Sequence, residues 1–338
     1  MASTTIPAGL VPQIWERRLW VEAAGKIFFN KFAGEEVPTG DTTSANSFAN
    51  IVHINTDLTK EPGNTITFGL AYQLSGSGVS GTSTMEGNEE AISFYSQSVT
   101  LDRVRNAILW DEVLQGKKSP YNLRNAAKVL LSDWLANKID QMTVDALVAS
   151  PTKKLYGGDA TSDAEIDSSD VFSTALIEAA CRVAKTSTPR IRPIKVNGKD
   201  RYIILAHSYQ IASLRSESAW LQAQREANIR GEDNPIFNDA AGVWGSAIIF
   251  EYDKIPLYTN WGAGGDIPGA RALLLGAQAV LWGFGKKVYW KERVTDYDSI
   301  GVQVGSIIGV AKAKFNNKDY ACIALDTYAA ETYPSATS

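Results

Sequence analysis

Apolar positions alternate with small or polar ones over Ile66–Leu74, where Ile66, Phe68, Leu70, Tyr72 and Leu74 keep the two-residue period of a β-strand. The period returns across Ile92–Trp110. Phe94 shares parity with Ser96 and Ser98, while Tyr95, Val99 and Leu101 share the other face. Between the two runs, Ser75–Glu90 carries glycine at 76, 78, 81 and 87, which is turn chemistry. Together these stretches predict a long β-hairpin with a loose tip. Arms of about ten residues project it roughly 30–35 Å. A two-stranded ribbon of that length is marginal alone in water. It needs a surface, no other part of the chain offers an obvious one, and a neighbouring subunit is the expected supplier.

Helical spacing appears twice before the middle of the chain. Pro12 opens a predicted helix to about Phe32, with Trp15, Leu19, Ala23 and Ile27 at four-residue steps. It docks either on its own body or on a neighbour. Ser119 and Pro120 start a longer helix to about Ser150, carrying Leu123, Ala127, Leu130, Trp134, Leu135, Ile139, Met142 and Ala146. At 1.5 Å per residue it is roughly 45 Å long. Gly34–Phe48 reads as a polar linker and Ile51–Leu58 as a strand.

Further on, helices over Asp170–Lys185 and Ser208 to about Ile229 alternate with strands at Arg201–Ala206, within Asn234–Asn260 and at Leu273–Trp282. That alternation predicts a second, α/β unit from about 165 to 280. Lys287–Val294 is a strand. Ile300–Phe315 and Tyr320–Ala329, joined by the Asn316–Asp319 turn, read as a hairpin.

Charge adds a direction to the hairpin. No lysine or arginine lies between Asn64 and Thr100, whereas Glu86, Glu89 and Glu90 cluster near the tip. A negative tip favours docking on a basic patch of a neighbour. Arg124, Lys128 and Lys138, off the long helix's apolar stripe, are expected to contribute to that patch. The candidate contact residues are therefore Gly76, Gly78, Gly81, Glu86, Glu89, Glu90, Arg124 and Lys128. The net charge of −4 over 338 residues does not suggest general nucleic-acid binding. Cys181 and Cys322 sit in apolar runs, as buried free thiols or, alternatively, a single bridge. The N-terminus lacks a signal-like pattern and the longest low-polarity run, Ala272–Gly285, is too short to span a bilayer. Synthesis and assembly in a cytoplasm are expected, with no membrane partner.

Catalytic motifs are weak. Gly76–Gly81 matches G-x-G-x-x-G after a strand, but Gly87 and Asn88 interrupt the helix a phosphate site needs, and the acidic residues repel phosphate. The hairpin-tip reading is favoured over a nucleotide-dependent enzyme. Gly116–Ser119 lacks the upstream glycine of a P-loop. His53 and His207 are the two histidines, without G-x-S-x-G or H-E-x-x-H around them. Asp163, Glu165, Asp167 and Asp170 have calcium-loop spacing, but Ser168 replaces the required glycine, so a solvated linker is favoured. The basic run Arg182, Lys185, Arg190, Arg192, Lys195, Lys199 and Arg201 is a solvated face or a contact for packaged nucleic acid or an acidic neighbour. No enzyme activity, cofactor or metal is expected.

Four long segments in fixed order carry a resemblance: Phe68–Ile108, Arg190–Gln210, Ala223–Trp244 and Lys312–Ala329. The chain resembles, over nearly its whole length, a major capsid protein family of tailed bacteriophages, the one best known from podoviruses. The resemblance implies an α+β fold with an N-terminal arm (1–48), a strand and extended β-hairpin loop (49–112), the long spine helix of a peripheral domain (113–164), an axial domain (165–282) and C-terminal peripheral strands (283–338). It implies self-assembly into the hexamers and pentamers of an icosahedral shell enclosing double-stranded DNA. Implied partners are the chain itself, scaffolding, portal and decoration proteins, and packaged DNA held non-specifically on the inner face. Loop-lysine crosslinking, known in some relatives, has no lysine to use in this hairpin. An encapsulin-like nanocompartment is the same-fold alternative.

Overall fold

A computed structural model describes residues 12–35, 50–59, 62–71, 78–82, 84–87, 89, 94–111, 122–188, 190–196, 198–227, 241–295 and 299–331. The expected arm at 1–11, most of the polar linker, the Gly116–Pro120 run and the tail from 332 lie outside the described residues.

Helix α1 (Pro12–Lys26) buries Leu19 and Ala23. Of its two expected dockings, the one on its own body is found. Lys26 Nζ lies 2.6 Å from Asp133, Lys128 Nζ lies 2.9 Å from Glu22, and Glu16 accepts the Trp290 amide at 3.0 Å. The helix stops short of Phe32, and Phe28–Phe32 is a 3-10 turn. Buried Asp140 accepts the Phe28 and Phe29 amides at 3.0 and 3.4 Å. A continuous α-helix would have sent those donors to its own carbonyls.

β1 (Ala33–Glu35) and β2 (Val52–Asn55) pair in parallel. β3 (Thr65–Ala71) and β4 (Phe94–Thr100) form the hairpin ladder, with Thr65 opposite Thr100 and Ala71 opposite Phe94. The return leg, expected as one arm to Trp110, divides at Leu101, whose amide donates to the Asn64 carbonyl at 2.8 Å. Beyond it, β5 (Asp102–Asp111) leaves the ribbon for another sheet. α2 (Leu123–Val148) is the long helix. It opens on Asn122, whose Oδ1 accepts the Asn125 amide at 3.2 Å.

β6 (Lys154–Tyr156), α3 (Thr174–Thr186), β7 (Ile194–Val196) and β8 (Lys199–Ala206) follow. One expected helix then divides into α4 (Ser208–Ser216) and α5 (Ser218–Ala227). Glu217, at the break, accepts the Thr174 amide and hydroxyl at 2.8 and 2.7 Å. The remaining strands are β9 (Gly242–Trp244), β10 (Ala247–Glu251), β11 (Leu257–Trp261), β12 (Ile267–Leu275), β13 (Val280–Thr295), β14 (Ser299–Lys312), β15 (Lys314–Phe315), β16 (Lys318–Asp319) and β17 (Cys322–Tyr328).

These strands make two principal sheets. The first runs β1-β2-β13-β14-β5; the second runs β6-β17-β12-β8-β10-β9, with β7 added on β8 and β11 on β12. α1 and α2 cover one face of the first. Trp282 donates from Nε1 to Thr143 Oγ1 at 3.1 Å, and Trp20 meets Phe284 edge-on at 5.8 Å. The strand expected over Leu273–Trp282 is broken at Gly276–Ala279, where the chain passes between sheets.

The expected hairpin of Ile300–Phe315 with Tyr320–Ala329 does not form as such. Asn316 and Asn317 take φ of 48° and 59°, so the turn exists, but it closes only β15 on β16. β14 pairs with β13 and β5, whereas β17 pairs with β12 and β6. β17, expected among the peripheral strands, therefore lies in the second sheet. Alternation reports which side chains are buried, not which strand lies alongside.

The two sheets meet at the C-terminus of α2, where a helix leaves carbonyls without intrahelical partners. Arg271 of β12 donates to the Val148 carbonyl at 3.2 Å and to both Asp326 oxygens at 2.6 and 2.8 Å. Lys312 of β14 donates to the Ala149 carbonyl at 2.8 Å and pairs with Asp319 at 2.9 Å. All four charged side chains are buried. Cys181 and Cys322 are buried and free, so the single bridge is not formed. Burial pushes the Cys322 thiol up to about 12.

Removing one partner of a buried pair strands the other charge. Arg271→Met is expected to destabilise the unassembled subunit by about 3–5 kcal/mol in urea unfolding. A second expectation concerns His207. It caps α4, with Nδ1 accepting the Tyr209 amide at 3.2 Å, and burial holds the imidazole below its ordinary 6.5. The folded chain thus prefers the neutral ring. Its contribution is complete above 6.5 and is lost as pH falls through the lower, folded value. Thermal unfolding should show that acid sensitivity reduced in His207→Asn, which keeps a capping oxygen.

Candidate subunit interface

The hairpin has one apolar and one polar face, as its alternation requires. Ile66, Phe68 and Val99 are buried, while Thr65, Thr67, Ser96, Ser98 and Thr100 are exposed. On the exposed face the Thr67 and Ser98 hydroxyls lie 3.3 Å apart. The buried face rests on the first sheet of the same chain. This corrects the expectation that no intrachain surface serves the ribbon: its base has one. Gln97 fixes the contact, donating to the Lys312 carbonyl at 2.9 Å and accepting the Lys314 amide at 2.7 Å. Phe68 also meets the buried His53 ring at 5.4 Å.

Glycines make that approach close enough. A Cβ on Gly283 would stand 2.9 Å from Ile66 Cδ1, and one on Gly309 would stand 2.5 Å from the Thr100 carbonyl oxygen. Sequence reasoning missed these two residues. Their signal was present, because glycine inside a strand marks a place where another backbone comes near.

Beyond the base, the described tip residues 78–82, 84–87 and 89 are exposed, apart from partly buried Val79. Met85 is 53% exposed. Gly78, Gly81 and Gly87 have φ of 65°, 74° and 86°, a region that favours glycine. Glu89 accepts the Gly87 amide at 2.7 Å, and Glu86 is exposed. Gly76 and Glu90 lie outside the described residues. No helix follows Gly81 among the described tip residues, so the phosphate-cradling geometry is absent there.

Arg124 and Lys128 do not stand open beneath a docking surface. Arg124 lies 2.6 Å from Glu292, and Lys128 is held by Glu22. A different basic surface lies on the first sheet, on the face opposite α2. Arg103 and Arg105 of β5 share that face with Lys291 and Arg293 of β13, through Ile307, Gly305, Gln303 and Gly301 of β14. All four cations are exposed. Exposed Leu109 lies among them, in register with Gly301.

β5 is an edge strand among the described residues. Two of its amides donate to side chains: Arg103 N to Asp102 Oδ1 at 2.6 Å, and Ala107 N to Asn106 Oδ1 at 2.9 Å. The four acidic residues at 163–170 also serve locally. Asp163 pairs with Lys154 at 2.8 Å, Glu165 accepts from Thr161, Asp167 from Ser169, and Asp170 from the Asp167 amide.

A family model described as phage capsid protein matches residues 27–150 and 143–331. The chain belongs to the phage capsid protein family. It is 26% identical over 349 residues to the major capsid protein of Pseudomonas phage KPP25, covering 89% of each chain. The capsid of Ralstonia phage GP4 has the same fold, with a TM-score of 0.77, 27% identity, and 98% and 100% of the two chains covered. The Cyanophage Pam1 capsid gives 0.71 at 21% identity, covering 98% and 100%. This capsid protein is therefore a structural component of a virion shell with an α+β fold, not an enzyme, and it self-associates.

The glycine approach yields a direct expectation for the capsid protein. Gly309→Val should lift the ribbon base and expose it to limited proteolysis near residues 94–100. Valine at exposed Gly69, which has open space around its Cβ position, should leave the cleavage pattern unchanged.

Proposed function

We propose that many copies of this capsid protein form hexamers and pentamers that close an icosahedral shell around double-stranded DNA, with each hairpin tip lying on an adjacent subunit. One observation carries the tip assignment. The ribbon base is fixed on its own chain, whereas the tip is solvent-exposed, apolar at Met85 and acidic at Glu86 and Glu89. The exposed cations Arg103, Arg105, Lys291 and Arg293 supply complementary charge for a neighbour's tip, in place of the intrachain-paired Arg124 and Lys128. Obligate interfaces commonly exceed about 2,000 Å², so the tip is one contact among several.

On this reading the first sheet with α1 and α2 is the peripheral unit and the second sheet is the axial unit. Assembly takes place in the host cytoplasm. Scaffolding, portal and decoration proteins are partners of the assembly, and packaged DNA meets the inner face without sequence preference. The phage family favours this reading over a cargo-holding nanocompartment.

Replacing residues 76–90 by a short turn is expected to leave a folded subunit that no longer sediments as shells. Undiminished shell formation would remove the tip from the assembly contact. Reversal of Glu86, Glu89 and Glu90 to lysine should weaken assembly most at low ionic strength, because exposed charges more than about 10 Å apart are screened at 0.1 M salt.

A further inference from the structure

The two ends of the second sheet carry opposite charge. β6 and β9 terminate the strand path, five strand spacings or about 24 Å apart. Beyond β6, residues 159–167 and the β11–β12 turn enclose an open groove of about 550 Å³ lined by Asp159, Glu165, Asp167 and Asp266. All four are exposed. Hydrogen bonds from Thr161 and Ser169 hold the Glu165 and Asp167 carboxyls below their usual range, so the groove stays anionic.

The opposite end is cationic. α3 ends beside the β9–β10 turn, where Lys185 donates to Ser246 at 3.0 Å and Arg201 bonds the Gly245 carbonyl. Arg182 and Lys185 are exposed on this ridge, against exposed Glu178; Lys195 and Lys199 are exposed with Asp200 at the paired ends of β7 and β8, where Arg201 of β8 reaches the turn. Glu178 is engaged by Trp244 Nε1 at 2.9 Å. Arg182, Lys195 and Lys199 form no ion pair among the described residues, and neither do Asp159 and Asp266. The ridge contains much of the dense basic run seen in the sequence.

We infer that the ridge of one copy, centred on Arg182 and Lys199, docks against the Asp159–Asp266 groove of the next copy. The partner is a second copy of this chain. Like-on-like contact of either patch would juxtapose equal charges and is unfavourable. The favourable contact is therefore head-to-tail, and head-to-tail contacts close rings when the rotation permits. This inference rests on the proposal that copies associate in rings of six and five, and it identifies the surfaces that join them.

Charge exchange tests it. Asp159→Lys with Asp266→Lys makes one variant, and Arg182→Glu with Lys199→Glu makes the other. These residues are chosen because they hold no turn or ion pair of the fold. At low salt, each variant alone is expected to need at least about tenfold more subunit to assemble, a change worth 1.4 kcal/mol. Thermal unfolding of the unassembled subunits should match the parent chain. If a reversal unfolds the subunit, the neutral versions, Asp159→Asn with Asp266→Asn and Arg182→Gln with Lys199→Gln, replace it and should each weaken assembly.

Two combinations then decide the matter. All four reversals on one chain should restore closed shells. An equal mixture of the two variants should alternate around an even ring, restoring six-membered rings, while a five-membered ring cannot alternate without one clashing contact. Sedimentation and electron microscopy of the mixture should show hexamers or open sheets without closed shells. The inference is overturned if the single reversals assemble like the parent, or if neither combination improves on them. A parallel assay of the 76–90 replacement separates this result from the tip proposal, because that variant leaves both charged patches intact.

Discussion

The end of one helix governs how the two sheets of this subunit are joined. The last carbonyls of α2 have no intrahelical partners and need others. Two buried cations supply them, Arg271 from one sheet and Lys312 from the other, each neutralised by its own aspartate. Buried pairs of this kind contribute little net stability compared with apolar packing, but they tolerate one geometry and penalise others. The helix terminus is thus held in register with β12, β14 and β17 at once. Lys312 extends the same constraint outward, since its carbonyl receives the Gln97 side chain of the hairpin base.

That connection explains the division of labour within the hairpin. The base is part of the subunit's own packing, set down through glycine gaps on a rigid sheet. The tip carries glycine-dependent turns and charged, solvated side chains. A firmly held base with a soluble end is suited to presenting a contact at a reproducible position, because the entropy of ordering the ribbon is met largely within the subunit. The extended-loop expectation survives with its origin moved: the order of the ribbon comes first from its own chain.

Much of this was legible from residue pattern. The burial of Ile66, Phe68 and Val99 against exposed Thr67 and Ser98 follows directly from parity, and α2 follows from its apolar spacing. The tip glycines were identified by type, and three of them adopt the left-handed backbone that type permits. What escaped was pairing at a distance. Nothing local in Tyr320–Ala329 states that β17 lies beside β12, nor that Glu217 leaves its helix to bind Thr174. Arg124 and Lys128 lay off the apolar stripe as expected, yet Glu292 and Glu22, distant in sequence, had already claimed them. Gly283 and Gly309 were visible as letters, but their partners were not.

The edge of β5 has a further consequence. Among the described residues β5 has an open edge, which invites another strand, and at high concentration such pairing would extend a sheet into a filament. Here the Asp102 and Asn106 side chains bond amides of the strand itself, and exposed Arg103 and Arg105 add like charge along it. Linear growth is thereby discouraged, and material is left for curved, finite particles.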